Sequence, residues 1–146
     1  MGLAFGFLLK GAWKSPTKYL GKDDLFKPPF GWLFYALGGY PVDRSKRNNF
    51  VDAVVDLFNS KEKFAVTIAP EGTRKKVEKL KTGFYYIAKG ANIPLVLMKF
   101  DFGKMEVEVA ETFYPTWDKE KDFEAIYDFF RGAQGKIPEY GFLYDQ

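Results

Sequence analysis

Phe64-Ala65-Val66-Thr67-Ile68-Ala69-Pro70-Glu71-Gly72-Thr73-Arg74 is a short apolar run set directly against a turn. A continuous apolar run of this length, stopped by Pro and Gly, predicts a strand buried on both faces in a parallel sheet. Ligands of open α/β sheets sit beyond the carboxyl ends of the strands, so the loop from Pro70 is where a site belongs. Gly72 lets the backbone approach a ligand closely, Thr73 offers a hydroxyl, and Arg74 offers a planar fork that fits phosphate oxygens. From these residues alone the loop reads equally as an anion cradle or as a strand-terminating proline, a glycine turn and a solvated arginine.

Working outward, Ile93 to Met98 (IPLVLM) repeats the apolar-run pattern, and shorter strand candidates lie at Thr17 to Leu20 and Tyr40 to Asp43. Between and around them, apolar residues recur at helical spacing: Phe50, Val51, Val54, Val55 and Phe58, then Phe84, Ile87, Ala88 and Ala91, then Phe123, Ile126, Tyr127 and Phe130. A further segment, Leu25 to Leu37, is opened by Pro28-Pro29 and closed by Gly38-Gly39. Met105, Val107 and Val109 alternate with Glu106 and Glu108, which predicts a half-exposed edge strand over Met105 to Glu111. Strand and helix alternate, so the expected fold is α/β, a mainly parallel sheet flanked by helices on both faces. Without internal repeats or linkers, residues 1–146 read as one domain. If the strands ending at Asp43 and Ala69 are parallel and close, Arg44 and Arg74 converge at one sheet edge, with Asp43 placed to hold Arg44. Taken alone, Asp43-Arg44 reads rather as a surface ion pair at a strand end.

Composition narrows the chemistry. The 146 residues contain no cysteine and no histidine, which removes disulfides, thiol nucleophiles, imidazole bases and His-ligated metals. A net charge of +3 is too mild to indicate nucleic acid, and no nucleic-acid partner is expected. Five of the eight residues from Arg74 to Lys81 are basic, read either as a solvated helix face or as an attractor of anionic headgroups or an acidic carrier. Asp23-Asp24 reads as a solvated turn rather than a metal pair, Glu106 and Glu108 as solvent-facing, and no metal is expected. Met1 to Leu9 is apolar but is cut short by Lys10, too early for a bilayer-spanning helix. No strand precedes it, so the chain reads as starting inside a fold. Aromatic residues make up 19%, with Phe30, Trp32, Phe34 and Tyr35 in one segment; core packing accounts for most of them, although Trp and Tyr also favour membrane interfaces.

Three segments in order carry a resemblance. Gly39-Tyr40-Pro41-Val42-Asp43-Arg44, Ala69-Pro70-Glu71-Gly72-Thr73-Arg74 and Ile93-Pro94-Leu95-Val96 resemble the second, third and fourth motifs of the glycerol-phosphate and lysophosphatidic acid acyltransferase family. Lys22 to Gly31 (KDDLFKPPFG) resembles the stretch leading into the second motif, so the similarity spans at least Lys22 to Met98. The resemblance implies transfer of a fatty acyl group from acyl-CoA or acyl carrier protein, with no bound cofactor, to a glycerol-phosphate or lysophospholipid acceptor in phospholipid biosynthesis. It implies peripheral attachment to the cytoplasmic face of a membrane, and acyl carrier protein as a further partner. By position, Arg44, Glu71, Gly72, Thr73 and Arg74 would bind the acceptor's phosphate, with Asp43 and Lys22 in support; Glu71 would orient Arg or backbone groups. The family's first motif, His-x-x-x-x-Asp, supplies the base, and this chain has no histidine to fill it. The expectation is therefore that the fold is N-terminally incomplete, its catalytic motif upstream of Met1 and the fragment inactive. The alternative is a non-catalytic phospholipid or phosphate-ligand binding module.

Overall fold

The computed structural model describes residues 4–10, 17–42, 47–71 and 79–136. Along them run strands β1 (Ala4–Lys10), β2 (Thr17–Lys22), β3 (Gly39–Val42), β4 (Phe64–Ile68), β5 (Leu95–Asp101) and β6 (Glu106–Val109). Helices are α1 (Gly31–Ala36), α2 (Arg47–Asn59), α3 (Gly83–Ala91) and α4 (Lys119–Phe130), with a 3-10 turn over Asp23–Phe26. The strands form one sheet in the order β3-β2-β4-β1-β5-β6.

β2 pairs parallel with β3 and with β4, whereas β1 is antiparallel to β4 and β5, and β6 is antiparallel to β5. Strands β2 to β5 thus share one direction, and the α/β fold expected from the sequence is the one formed. The departure lies in the apolar N-terminal run, which forms β1, a strand inserted between β4 and β5. A run of apolar residues encodes burial on both faces; it does not encode the direction of the neighbours. Hence β5, whose sequence predicts a parallel-sheet strand, bonds only antiparallel partners.

Side chains alternate across a sheet, so the register sorts them onto two faces. Leu20, Val42, Phe64, Val66, Leu95 and Leu97 share one face and pack with α2, α3 and α4 in a single apolar cluster. Each helix supplies the stripe its periodicity predicts: Val54 and Phe58, Phe84, Ile87 and Ala88, Phe123, Ile126 and Phe130 are all buried. α2 and α3 come close enough at Gly90 that a Cβ there would lie 2.7 Å from Val55 Cγ2. Asn92, in the left-handed region at φ 50°, ends α3, and the Ile93 amide donates back to the Ala88 carbonyl at 3.0 Å, turning the chain into β5.

Tyr19, Gly21 and Gly39 lie on the other face, where the crossover from β2 to β3 packs. Phe26 is its pin: a Cβ on Gly21 or Gly39 would sit 2.8 or 2.7 Å from the Phe26 ring. Phe26 also stacks on Phe34 and Tyr35 of α1, with centroids 5.9 and 4.8 Å apart. Helices therefore flank both faces, three on one and α1 on the other.

Two polar staples sit within this frame. Asp122, buried in the first turn of α4, accepts from Thr116 N and Oγ1 at 3.0 and 2.8 Å, Trp117 N at 3.0 Å and the Tyr85 hydroxyl at 3.0 Å. Asp101 closes the β5–β6 turn by accepting from the Gly103, Lys104 and Gln134 amides.

Two further expectations are corrected. The edge strand β6 spans only Glu106–Val109, and Val107 and Val109 are exposed along with the glutamates, because no described element covers that face there. The aromatic segment at Phe30 to Tyr35 is not mainly core. Phe26 beneath it is buried and so is Gly31, while Phe30, Trp32 and Tyr35 face solvent, since a six-residue helix pinned by one ring has too little inner surface to hide them.

Candidate functional site

The parallel trio β3-β2-β4 determines where the predicted site residues fall. Tyr19 of β2 is level with both Gly39 and Thr67, and Lys22 is level with Val42. The carboxyl ends of β2, β3 and β4 therefore emerge on one edge of the sheet. β3 and β4 are two strand spacings apart, about 10 Å. Arg44 follows β3 by two residues and Glu71 follows β4 by three, so the backbone delivers both segments to the same edge. Asp43, Arg44, Gly72, Thr73 and Arg74 themselves lie outside the described residues, as does the basic run from Arg74 through Glu78.

The second segment springs from a fixed base. Pro70 and Glu71 are buried at one foot, and Leu80 is buried in the core at the other. The Lys81 amide donates to the Pro70 carbonyl at 2.8 Å, clasping the two feet together. Glu71 is only 5% exposed. A carboxylate buried to that degree needs donors or a cation beside it.

Lys22 ends β2 between the two segments, 61% exposed at its side chain, and its ammonium pairs with Asp24. Lys27 pairs with the same carboxylate. The hydrogen bond from Lys22, then that from Lys27, pulls the Asp24 pKa down to about 2, and the same contact raises the lysines. Asp24 is thus engaged by two lysines, and among the described residues no group of three or more acidic side chains gathers around a common point. An incoming phosphate could claim Lys22 only by competing with Asp24.

At the opposite edge lies a feature that motif reading missed. Lys18, Lys61 and Lys63 line an open groove of about 370 Å³ with Tyr35, Tyr40 and Phe64. Each of these lysines lies at or just before the start of a parallel strand. Parallel pairing brings strand starts together as surely as strand ends, and that was the available signal. A second depression, about 380 Å³, lies between β3 and α2.

Residues 3–100 match the family model described as Acyltransferase. The chain is 31% identical over 89 residues to the 1-acyl-sn-glycerol-3-phosphate acyltransferase of Escherichia coli strain K12, covering 57% of this chain and 36% of that protein. It is 34% identical over 90 residues to the Salmonella typhimurium protein of the same name, with 57% and 36% covered. Identity to the Cocos nucifera protein of that name is 30% over 90 residues, with 58% and 29% covered. The chain thus spans at most 36% of the length of these three relatives. No solved structure matches it. Since the family match takes in β1 through most of β5, the whole of the parallel trio included, the chain belongs to the acyltransferase family.

Proposed function

We propose that this chain supplies the acceptor-phosphate grip of an O-acyltransferase of phospholipid biosynthesis, acting on a 1-acylglycerol-phosphate type acceptor at the cytoplasmic membrane surface. The observation that carries the reading is the register of β2, β3 and β4, which delivers the Arg44 segment and the clasped Glu71 loop to one edge. Two guanidinium forks, one from each segment, would suit a phosphate monoester, and buried Glu71 would orient donors beside them.

In the reaction, an ester bond forms between the acceptor's hydroxyl oxygen and the acyl carbon, the thioester C–S bond of acyl-CoA or acyl carrier protein breaks, and the hydroxyl proton ends on the released thiol. A base must take that proton first, and no imidazole of this chain can do so. What these residues contribute is binding and orientation, converting an encounter into a positioned one. A second reading, a non-catalytic binder of phospholipids, is favoured by that same lack of histidine.

Isothermal titration with lysophosphatidic acid and with uncharged monoacylglycerol, both below micelle formation, tests the grip. Lysophosphatidic acid is expected to bind and monoacylglycerol not. Arg44→Ala and Arg74→Ala are each expected to weaken binding about ten- to a hundredfold. Equal binding of the two lipids would contradict the proposal. Ester formation from acyl-CoA or acyl carrier protein, assayed on the same protein, separates transferase from binder.

A further inference from the structure

Phe30-Gly31-Trp32-Leu33-Phe34-Tyr35-Ala36-Leu37 carries no charged side chain, yet most of it faces solvent. Trp32 is 70% exposed, Phe30 66%, Leu37 64% and Tyr35 53%, with Leu33 and the nearby Leu25 also exposed. These residues cover the outer side of the β2–β3 crossover, whose inner side is already occupied by Phe26 on Gly21 and Gly39. Contiguous exposed apolar patches of this kind mark interaction sites.

The surroundings indicate what covers it. Tyr35 belongs both to the patch and to the groove containing Lys18, Lys61 and Lys63, so the apolar surface runs directly into a set of lysines. No acidic side chain lines that groove among the described residues, and Glu62 lies next to Lys61 and Lys63 in the sequence. At the other end, Lys22 and Lys27 are both tied to Asp24. Tryptophan and tyrosine among leucine and phenylalanine, with lysines along the border, match the layering of a bilayer surface: acyl chains, interface, anionic headgroups.

We infer that this crossover seats the domain on an anionic lipid bilayer, with Phe30, Trp32, Leu33 and Leu37 entering the interface and Lys18, Lys61 and Lys63 meeting lipid phosphates. The crossover begins at Lys22, on the edge where the Arg44 and Glu71 segments emerge, so a lipid of the contacted leaflet presents its headgroup beside the candidate site. In that respect the inference rests on the lipid-acceptor reading and names the surface through which the acceptor is met.

Co-flotation of the chain with vesicles of phosphatidylcholine and phosphatidylglycerol tests it. Binding is expected, with Trp32 emission quenched by brominated acyl chains and the quenching reduced in Trp32→Phe. The double substitution Phe30→Glu/Trp32→Glu lies on exposed positions and is expected to lower vesicle partitioning at least about tenfold while leaving the thermal midpoint unchanged. Lys61→Glu/Lys63→Glu is expected to weaken binding to vesicles with phosphatidylglycerol and to leave pure phosphatidylcholine unaffected. Unchanged partitioning of Phe30→Glu/Trp32→Glu would overturn the inference. So would concentration-dependent dimerisation of the wild type that the same substitutions abolish without vesicles, since the patch would then seat a second copy. Arg44→Ala separates the two readings: it is expected to keep vesicle binding while losing the preference for lysophosphatidic acid.

Discussion

Asp122 and Glu71 are both buried carboxylates, and the partners of Asp122 settle its role. Burial desolvates Asp122 and pushes its pKa up, but the donors from Thr116, Tyr85 and Trp117 outweigh that and hold it below the ordinary carboxylate value. A depressed folded pKa means stability that is present above the unfolded value, about 4, and lost as pH falls through the folded one. Acid unfolding below about pH 4 should therefore be less steep in Asp122→Asn than in the wild type, read by circular dichroism across a pH series. Asp122→Ala strands four donor interactions and should cost on the order of 3 kcal/mol in urea unfolding. Its partner Tyr85 has the opposite sign. Burial, then the bond to Asp122, pushes the phenol up to about 12, so its contribution is whole below the unfolded pKa of about 10 and lost as pH rises through about 12. Tyr85→Phe should blunt alkaline unfolding. None of this was legible in the sequence, because Asp122 sits among Glu120, Lys121 and Glu124 and reads as one more solvated charge. Arg44 and the Glu71 to Arg74 loop stand out in the sequence only through the ordered motifs, since each segment alone reads as readily as a strand-end turn or a surface ion pair.

At the scale of elements, the helices were the most readable part of the chain. The stripes on α2, α3 and α4 fell on one core because period alone decides which side of a helix is apolar. The two least readable elements, β1 and α1, share a cause: an apolar segment announces that it must be covered, and says nothing of what covers it. β1 is covered by neighbours on both sides of the sheet interior; α1 is covered by protein on its inner side alone. The crossover that holds α1 rests on the absence of a side chain at Gly39, where a Cβ would crowd the Phe26 ring, the Phe34 carbonyl and the Tyr19 hydroxyl at 2.7 to 2.8 Å. Gly39→Val should destabilise the fold by about 1–3 kcal/mol, seen as a drop of several degrees in the thermal midpoint. A midpoint within a degree of wild type would mean that the crossover does not pack on β3 as described. By contrast, Gly83, with no neighbour near its missing Cβ and a place in the first turn of α3, should accept alanine without loss.

At the scale of the whole molecule, the proposed function depends on a topological convergence. β3 and β4 are separated by 21 intervening residues in the sequence and by a single strand in the sheet, and because both run parallel to that strand their carboxyl ends lie at one edge. The segments following β3 and β4 could be named from residues; that only β2 lies between those strands depends on which strands pair and in which direction. The same parallel set gathers lysines at the opposite edge, beside the exposed α1 surface. The central claim is that arginines from two connections grip one phosphate, and a double-substitution cycle of Arg44→Ala and Arg74→Ala on lysophosphatidic acid binding tests it most directly. If both hold the same group, the losses are non-additive, with a coupling of about 1 kcal/mol or more. Losses that add to within a few tenths of a kcal/mol would place the two arginines on separate sites and contradict the account.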